Sequence, residues 1–277
     1  MSDPASSCCA PSCCGGPRLA TPADVHSAVR ERYGAIARDG AAPAAATLGY
    51  ASDLAAAAPE GADLGLGCGN PHAIAALVAG ETVLDLGCGA GFDAILAARA
   101  VGPGGRVVGV DMTPDMLQRA ARNVATAGLA NVDLRQGYIE SLPLGDATID
   151  VVLSNCVVNL SPDKAAVYRE AFRVLRPGGR LAISDIVTRV KLPDALAQDL
   201  ALVGACVGGA ATVDDTVAML RAAGFVEVSV KPKVGSESMI RDWITASPEL
   251  TATAQAYGGV DLASAAVLSA VIEARKP

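Results

Sequence analysis

The residues of this chain best suited to chemistry are cysteines. Four of the eight fall in one N-terminal run, "CCAPSCC" (Cys8, Cys9, Cys13 and Cys14), and Cys88 sits inside a glycine loop. That leaves Cys68 in "GLGCGNP", Cys156 in "SNCVVNL" and Cys206 in "GACVGGA", far apart and each flanked by glycine or set at a strand end. No two of these three share a local ligand motif, so spacing offers neither a zinc knuckle nor a CxxC redox pair. A single free cysteine is most often a small buried hydrophobe. Three thiolates brought together from separate segments suit a soft, three-coordinate, thiophilic ion better than a hard one. Cys68 precedes a predicted helix N-terminus, which would favour its thiolate.

A second constellation is "VLDLGCGAGFD", which follows a strand and opens a helix. Gly87, Gly89 and Gly91 are spaced G-x-G-x-G, not in the dinucleotide spacing G-x-G-x-x-G. Such a loop turns sharply and brings its backbone against a ligand, because no Cβ intrudes. Asp85 lies two residues before the first glycine. Asp111, at the end of the next strand, is placed to accept hydrogen bonds from ribose hydroxyls. Periodicity alone leaves a nucleotide, NAD and S-adenosylmethionine all open. Cys88, between Gly87 and Gly89, reads as a packing residue of the loop. "LGLGCGN" at 64–70 echoes the loop, but it lacks a β-branched strand before it and runs into Asn70-Pro71.

These residues need a frame. From Glu81, short β-branched runs ("TVLDLGCG", "RVVGVDM", "NVDLRQG", "TIDVVLSN", "RLAISDIV") alternate with segments of helical spacing that end in glycine. The alternation predicts an α/β fold with a doubly wound parallel sheet. Residues 1–23 read as a mobile cysteine-rich arm. Residues 24–80 carry N-terminal helices and the Cys68 turn, with Val25, Val29, Tyr33 and Ile36 on one helical stripe and "GAAPAAAT" as a linker. Asn70 is the expected N-cap of a helix that starts at Pro71. Residues 81–190 form the cofactor-binding domain, and 191–277 a smaller α+β segment covering the site. That segment has helices around 194–207 and 212–223, a strand in "FVEVSVK" and a final strand in "AAVLSAVIEARKP".

Bulk properties narrow the function. The length of 277 residues allows one full α/β core, and a hydrophobic content of 51% fits a folded chain. The net charge of −7 argues against nucleic acid. No basic amphipathic face suggests a membrane surface, no apolar run is long enough to span a bilayer, and the N-terminus lacks the pattern of a secretory signal. A cytoplasmic location is expected, where cysteines stay reduced.

The glycine loop with Asp85, Asp111 and "GYIE" resembles class I S-adenosylmethionine-dependent methyltransferases, and the cofactor follows from that resemblance. It implies that Asp85 meets the cofactor's amino-acid end, Gly87, Cys88 and Gly89 form its loop, and Asp111 meets its ribose. Met112, Ile139 and Glu140 would surround its adenine. The wider set "GLGCGNP", "LDLGCGAGFDA", "SNCVVNLSPDKAAVYREAFRVLRPGGRLAISDIV", "CVGGA" and "SAVIEARKP" resembles the arsenite S-adenosylmethyltransferases from about Val25 to the C-terminus. The resemblance implies that Cys68, Cys156 and Cys206 hold arsenic(III), as arsenite or methylarsenite, and form the catalytic centre, with Asn155 shaping the methyl-transfer pocket. It also implies a thiol reductant, glutathione or thioredoxin, and no resident metal. His26 and His72, the two histidines, are not expected to be catalysts, and His72 reads as a helix-surface or packing residue. Family members often carry cysteines between the first helix and "GLGCGNP", whereas here "ARDGAAPAAATLGYASD" has none. Two other readings remain: a methyltransferase acting on an organic small molecule, and a non-catalytic metalloid-binding protein.

Overall fold

A computed structural model describes residues 20–277 apart from Gln198 and Tyr257. The chain lays down seven strands: β1 Thr82–Leu86, β2 Arg106–Asp111, β3 Val132–Gln136, β4 Ile149–Asn155, β5 Leu175–Thr188, β6 Val226–Pro232 and β7 Val267–Arg275. They form one sheet in the order β3-β2-β1-β4-β5-β7-β6. The first five are mutually parallel, and β7 runs antiparallel to both β5 and β6. The α/β class with a methyltransferase-type sheet therefore stands, but the sheet is not wholly parallel. It also does not stop at residue 190, since β6 and β7 extend the same sheet.

Helices cover the sheet: α1 Pro22–Asp39, α2 Ser52–Ala56, α3 His72–Ala75, α4 Phe92–Val101, α5 Pro114–Thr126 and α6 Lys164–Val174. The C-terminal part adds α7 Asp194–Ala197, α8 Leu200–Gly204, α9 Val213–Ala222, α10 Ser236–Ala246, α11 Pro248–Ala256 and α12 Val260–Ala266. Among the described residues no helix is long and apolar enough to cross a membrane. β1 is buried along nearly its whole length, as a strand covered on both faces must be. Leu84, Leu86, Ile149, Val152 and Ile183 fill the core with α6, each burial contributing roughly 2 kcal/mol. A separate apolar cluster joins Val25 and Val29 of α1, Leu202 and Val203 around α8, and Ile240 and Ile244 of α10. Cys68, Cys156 and Cys206 belong to it.

Local chemistry explains where the elements differ from the sequence reading. Thr21 caps α1 in a reciprocal box with Asp24, so the helix begins at Pro22, inside the stretch read as an arm. The cysteines at 8, 9, 13 and 14 lie outside the described residues. The "GAAPAAAT" stretch is no free linker: the Ala44 and Ala45 amides donate to the Asp63 carboxylate at 2.9 and 2.7 Å, and Ala45 and Tyr50 are buried against Leu96. Asn70 Oδ1 accepts from the Ala73 amide at 3.3 Å, but the N-cap is Pro71, not Asn70, and the helix is a single turn from His72, ended by Ala76 in the left-handed region.

Candidate functional site

The order of strands reverses between β1 and β4, and a cleft opens at their carboxyl ends. The glycine loop leaves β1 there. Gly87 has φ +63°, and a Cβ on it would sit 2.5 Å from the Val157 methyls, so only glycine lets the two loops meet. Gly89 and Gly91 are also left-handed, at φ +50° and +87°. Asp85, Gly87, Cys88, Gly89, Asp111 and Met112 line the cleft, as do Ile139, Glu140, Asn155 and Cys156.

The charges of the cleft fit a cationic ligand. Asp85 is 2% exposed, and its Oδ2 is buried without a hydrogen-bond partner among the described residues. Burial, then the neighbouring Asp93 and Asp111 charges, push its carboxyl well above the usual range. A positive ligand group against Asp85 would supply the missing partner, as the ammonium and sulfonium of S-adenosylmethionine could. Asp111 instead holds the loop: Oδ2 accepts from the Gly89 amide at 3.0 Å and Oδ1 from the Thr113 amide at 2.8 Å. Glu140 accepts from Ser161 Oγ at 2.5 Å and lies 3.1 Å from His26 Nε2. Cys88 is buried beneath the loop, where a Cβ on Gly109 would meet its Sγ at 2.9 Å.

The three distant cysteines share one buried cluster, and Cys156 of that cluster also lines the cleft. Cys156 follows β4, and its amide donates to Ser184 O of β5 at 2.8 Å. Cys68 Sγ donates to the same carbonyl at 3.5 Å. Cys206, just beyond α8, donates from Sγ to Cys156 O at 3.1 Å, with Tyr33 Oη 3.7 Å from its sulfur. Cys156 and Cys206 both have left-handed backbones, φ +61° and +60°, which cost roughly 1–3 kcal/mol each in a non-glycine residue. Such strain at two side chains facing one point is typical of functional sites. Burial pushes all the way against ionisation at Cys156, and the hydrogen-bonded and nearby Cys206 and Cys68 sulfurs push it further up. Burial also raises the Cys68 thiol, so the expected helix-end activation is absent: one four-residue turn does not outweigh desolvation.

Asn155 joins the two halves of the site. Its Oδ1 accepts from the Cys68 amide at 3.1 Å, while its Nδ2 donates to Gly69 O at 2.9 Å, Tyr50 Oη at 3.0 Å and Asp93 Oδ2 at 3.2 Å. Tyr50 Oη in turn donates to Asp93 Oδ1 at 2.6 Å. His72 is not a surface residue; its ring is packed beside Tyr50, with Nε2 3.2 Å from Asp93 Oδ1. Sequence reading passed over Asp93, Tyr50, Tyr33 and Asp185. Asp93 had a signal, two residues beyond the last loop glycine. Tyr50 had none, lying three residues beyond the stretch that reads as linker.

A family profile described as a methyltransferase domain matches residues 77–224. The chain is 46% identical over 278 aligned positions to an arsenite methyltransferase of Halobacterium salinarum, covering 92% of this chain and 68% of that protein. An arsenite methyltransferase of Aquipseudomonas alcaligenes is 47% identical over 159 positions, 55% of this chain and 46% of that protein, so the chain spans under half of its length. Among solved structures, an arsenic(III) S-adenosylmethionine methyltransferase from Chlamydomonas reinhardtii superposes with a TM-score of 0.60 at 32% identity, covering 85% of this chain and 74% of that one. With the glycine cleft and the cysteine cluster in one fold, the chain belongs to the arsenite methyltransferase family of S-adenosylmethionine-dependent enzymes.

Proposed function

We propose that Cys68, Cys156 and Cys206 hold arsenic(III) beside the cofactor cleft, arsenite through three sulfurs and methylarsenite, whose methyl group takes one position, through two. The observation that carries this reading is the convergence on Cys156, which lines the cleft and is neighboured by both other thiols. When bound, S-adenosylmethionine supplies an electrophilic sulfonium methyl.

The chain's own residues do the rest. Loading replaces the three hydroxides of arsenous acid with thiolates; each thiol proton leaves with a hydroxide as water, so no charge builds up in the buried cluster. Three sulfurs on one side leave the arsenic lone pair directed away from them, toward the cleft. That pair would be the acceptor of the methyl group the cofactor supplies, which would itself be left as S-adenosylhomocysteine. The substrate has no proton to lose at this step, so no general base is needed. Orientation and the exclusion of water by the apolar cluster supply the rate. Asp85 would hold the cofactor's ammonium, Asp111 its ribose through a carboxylate already fixed to the loop, and Met112, Ile139 and Glu140 its adenine. Asn155 sets the position of Cys68 relative to that cofactor.

Methyl transfer raises arsenic to the pentavalent state. Two thiols return it to trivalent and leave a disulfide, which exchange with glutathione or thioredoxin in the cytoplasm would reopen. Purified chain incubated with arsenite, S-adenosylmethionine and a thiol should release methylated arsenicals, and Cys156→Ser should not. Methylation that survives this substitution would contradict the reading.

A further inference from the structure

Around Cys156, which lines the cleft, lies a second donor set. Cys68 Sγ, Cys156 Sγ and a carboxylate oxygen of Asp185 lie within 4.8 Å of one another, and all three residues are buried. Cys206 is not part of this group. Asp185, from β5, is held in place: Oδ1 accepts from the Ile186 amide at 2.7 Å and from Asn159 Nδ2 at 2.9 Å. Its Oδ2 accepts a longer bond, 3.3 Å, from the Asn159 amide, and a carboxylate oxygen has a further lone pair to offer.

We propose that Cys68, Cys156 and Asp185 bind a borderline-soft divalent cation, zinc or cadmium, in competition with arsenite. Two sulfurs and one oxygen with an open fourth position are a ligand set that such ions take, whereas trivalent arsenic is better matched by three sulfurs. Charge supports the assignment. Two thiolates and a carboxylate around a divalent ion carry one net negative charge, while a neutral trithiolate arsenic carries none. Two ammonium groups stand by to balance that charge: Lys164 acts on Asp185 and Lys233 on Cys68. On binding, two thiol protons pass to solvent, and no electron moves. Only the competition with arsenite rests on the proposed arsenic site; the divalent site itself does not.

The test uses the full chain, reduced, with Cys8, Cys9, Cys13 and Cys14 changed to serine so that their thiols do not compete. Cadmium is titrated through its thiolate charge-transfer absorbance, and arsenite is measured by its displacement of cadmium. One cadmium per chain is expected. Asp185→Asn should weaken cadmium by at least about tenfold and leave arsenite within about threefold. Cys206→Ser should do the reverse. Unchanged cadmium affinity in Asp185→Asn overturns the proposal, as does an equal loss of both ions. If Asp185→Asn no longer binds S-adenosylmethionine and so does not report, Cys206→Ser decides: cadmium binding must survive it, and its loss overturns the proposal. Arsenite binding untouched by Cys206→Ser would instead sink the three-sulfur arsenic reading and leave the divalent site standing.

Discussion

At the scale of single residues, desolvation rather than charge pairing sets the behaviour of the site. Asp85 is a buried carboxylate with an unpartnered oxygen. Asp85→Asn keeps the shape but removes the charge that a cationic ligand would meet. We expect S-adenosylmethionine to bind about 10–100-fold more weakly to it, measured by calorimetry, with arsenite binding retained. Asp185 has its carboxyl pushed up from the ordinary 3.8 to about 6, chiefly by burial. The folded state therefore holds this proton over a range where the unfolded chain has lost it. The resulting stabilisation is complete below about pH 4 and gone above about pH 6, an effect of about 3 kcal/mol. Urea denaturation of the wild type and Asp185→Asn across this range should show the wild type losing stability relative to the variant as pH rises. A constant difference between them would contradict it. The cysteines were legible as a set because their glycine-flanked contexts stand out in the sequence. Their protonation was not, because burial is a property of the fold: nothing local to "GLGCGNP" shows that β5 and β7 close over it.

At the scale of elements, two loops do the positioning. The β1–α4 loop can approach the β4 loop only because Gly87 has no Cβ. Gly87→Ala combines a left-handed backbone with a 2.5 Å approach to Val157. It should destabilise the protein by roughly 1–3 kcal/mol in thermal or chemical unfolding and reduce cofactor binding. The second loop, carrying Cys68, is tied to β4 by two hydrogen bonds of Asn155, from the Cys68 amide and to Gly69 O, while Asn155 Nδ2 also donates to Tyr50 and Asp93. Asn155→Ala should weaken arsenite binding more than S-adenosylmethionine binding, because the amide anchors Cys68 directly and the cofactor side only through Asp93. Equal weakening of both, or a larger loss of cofactor binding, would contradict this. The strands β1 to β5 were readable from their β-branched runs and glycine stops. The one-turn α3 was not, since "PHAIAALVAG" has helical composition throughout and only the left-handed Ala76 ends it. Helices α10 to α12 left no mark on the reading either, although Gly235 and Gly259 precede α10 and α12.

At the scale of the whole molecule, the C-terminal third both completes the sheet and closes the site. β7 pairs with β5 along nine residues, from Arg180–Arg275 to Thr188–Val267, which fixes the strand that carries Ser184 and Asp185. α8 and α10 bring Cys206 and its apolar surroundings over Cys156. The sequence pattern reveals a final strand but not its direction, because pairing partners depend on contacts some ninety residues away. In the proposed arrangement three sulfurs from three segments hold one arsenic. Arsenic K-edge X-ray absorption counts them directly, on the chain with its N-terminal cysteines changed to serine. Three sulfur neighbours are expected, falling to two in Cys206→Ser. The same count in both proteins, or a first shell that keeps its oxygens, would contradict it.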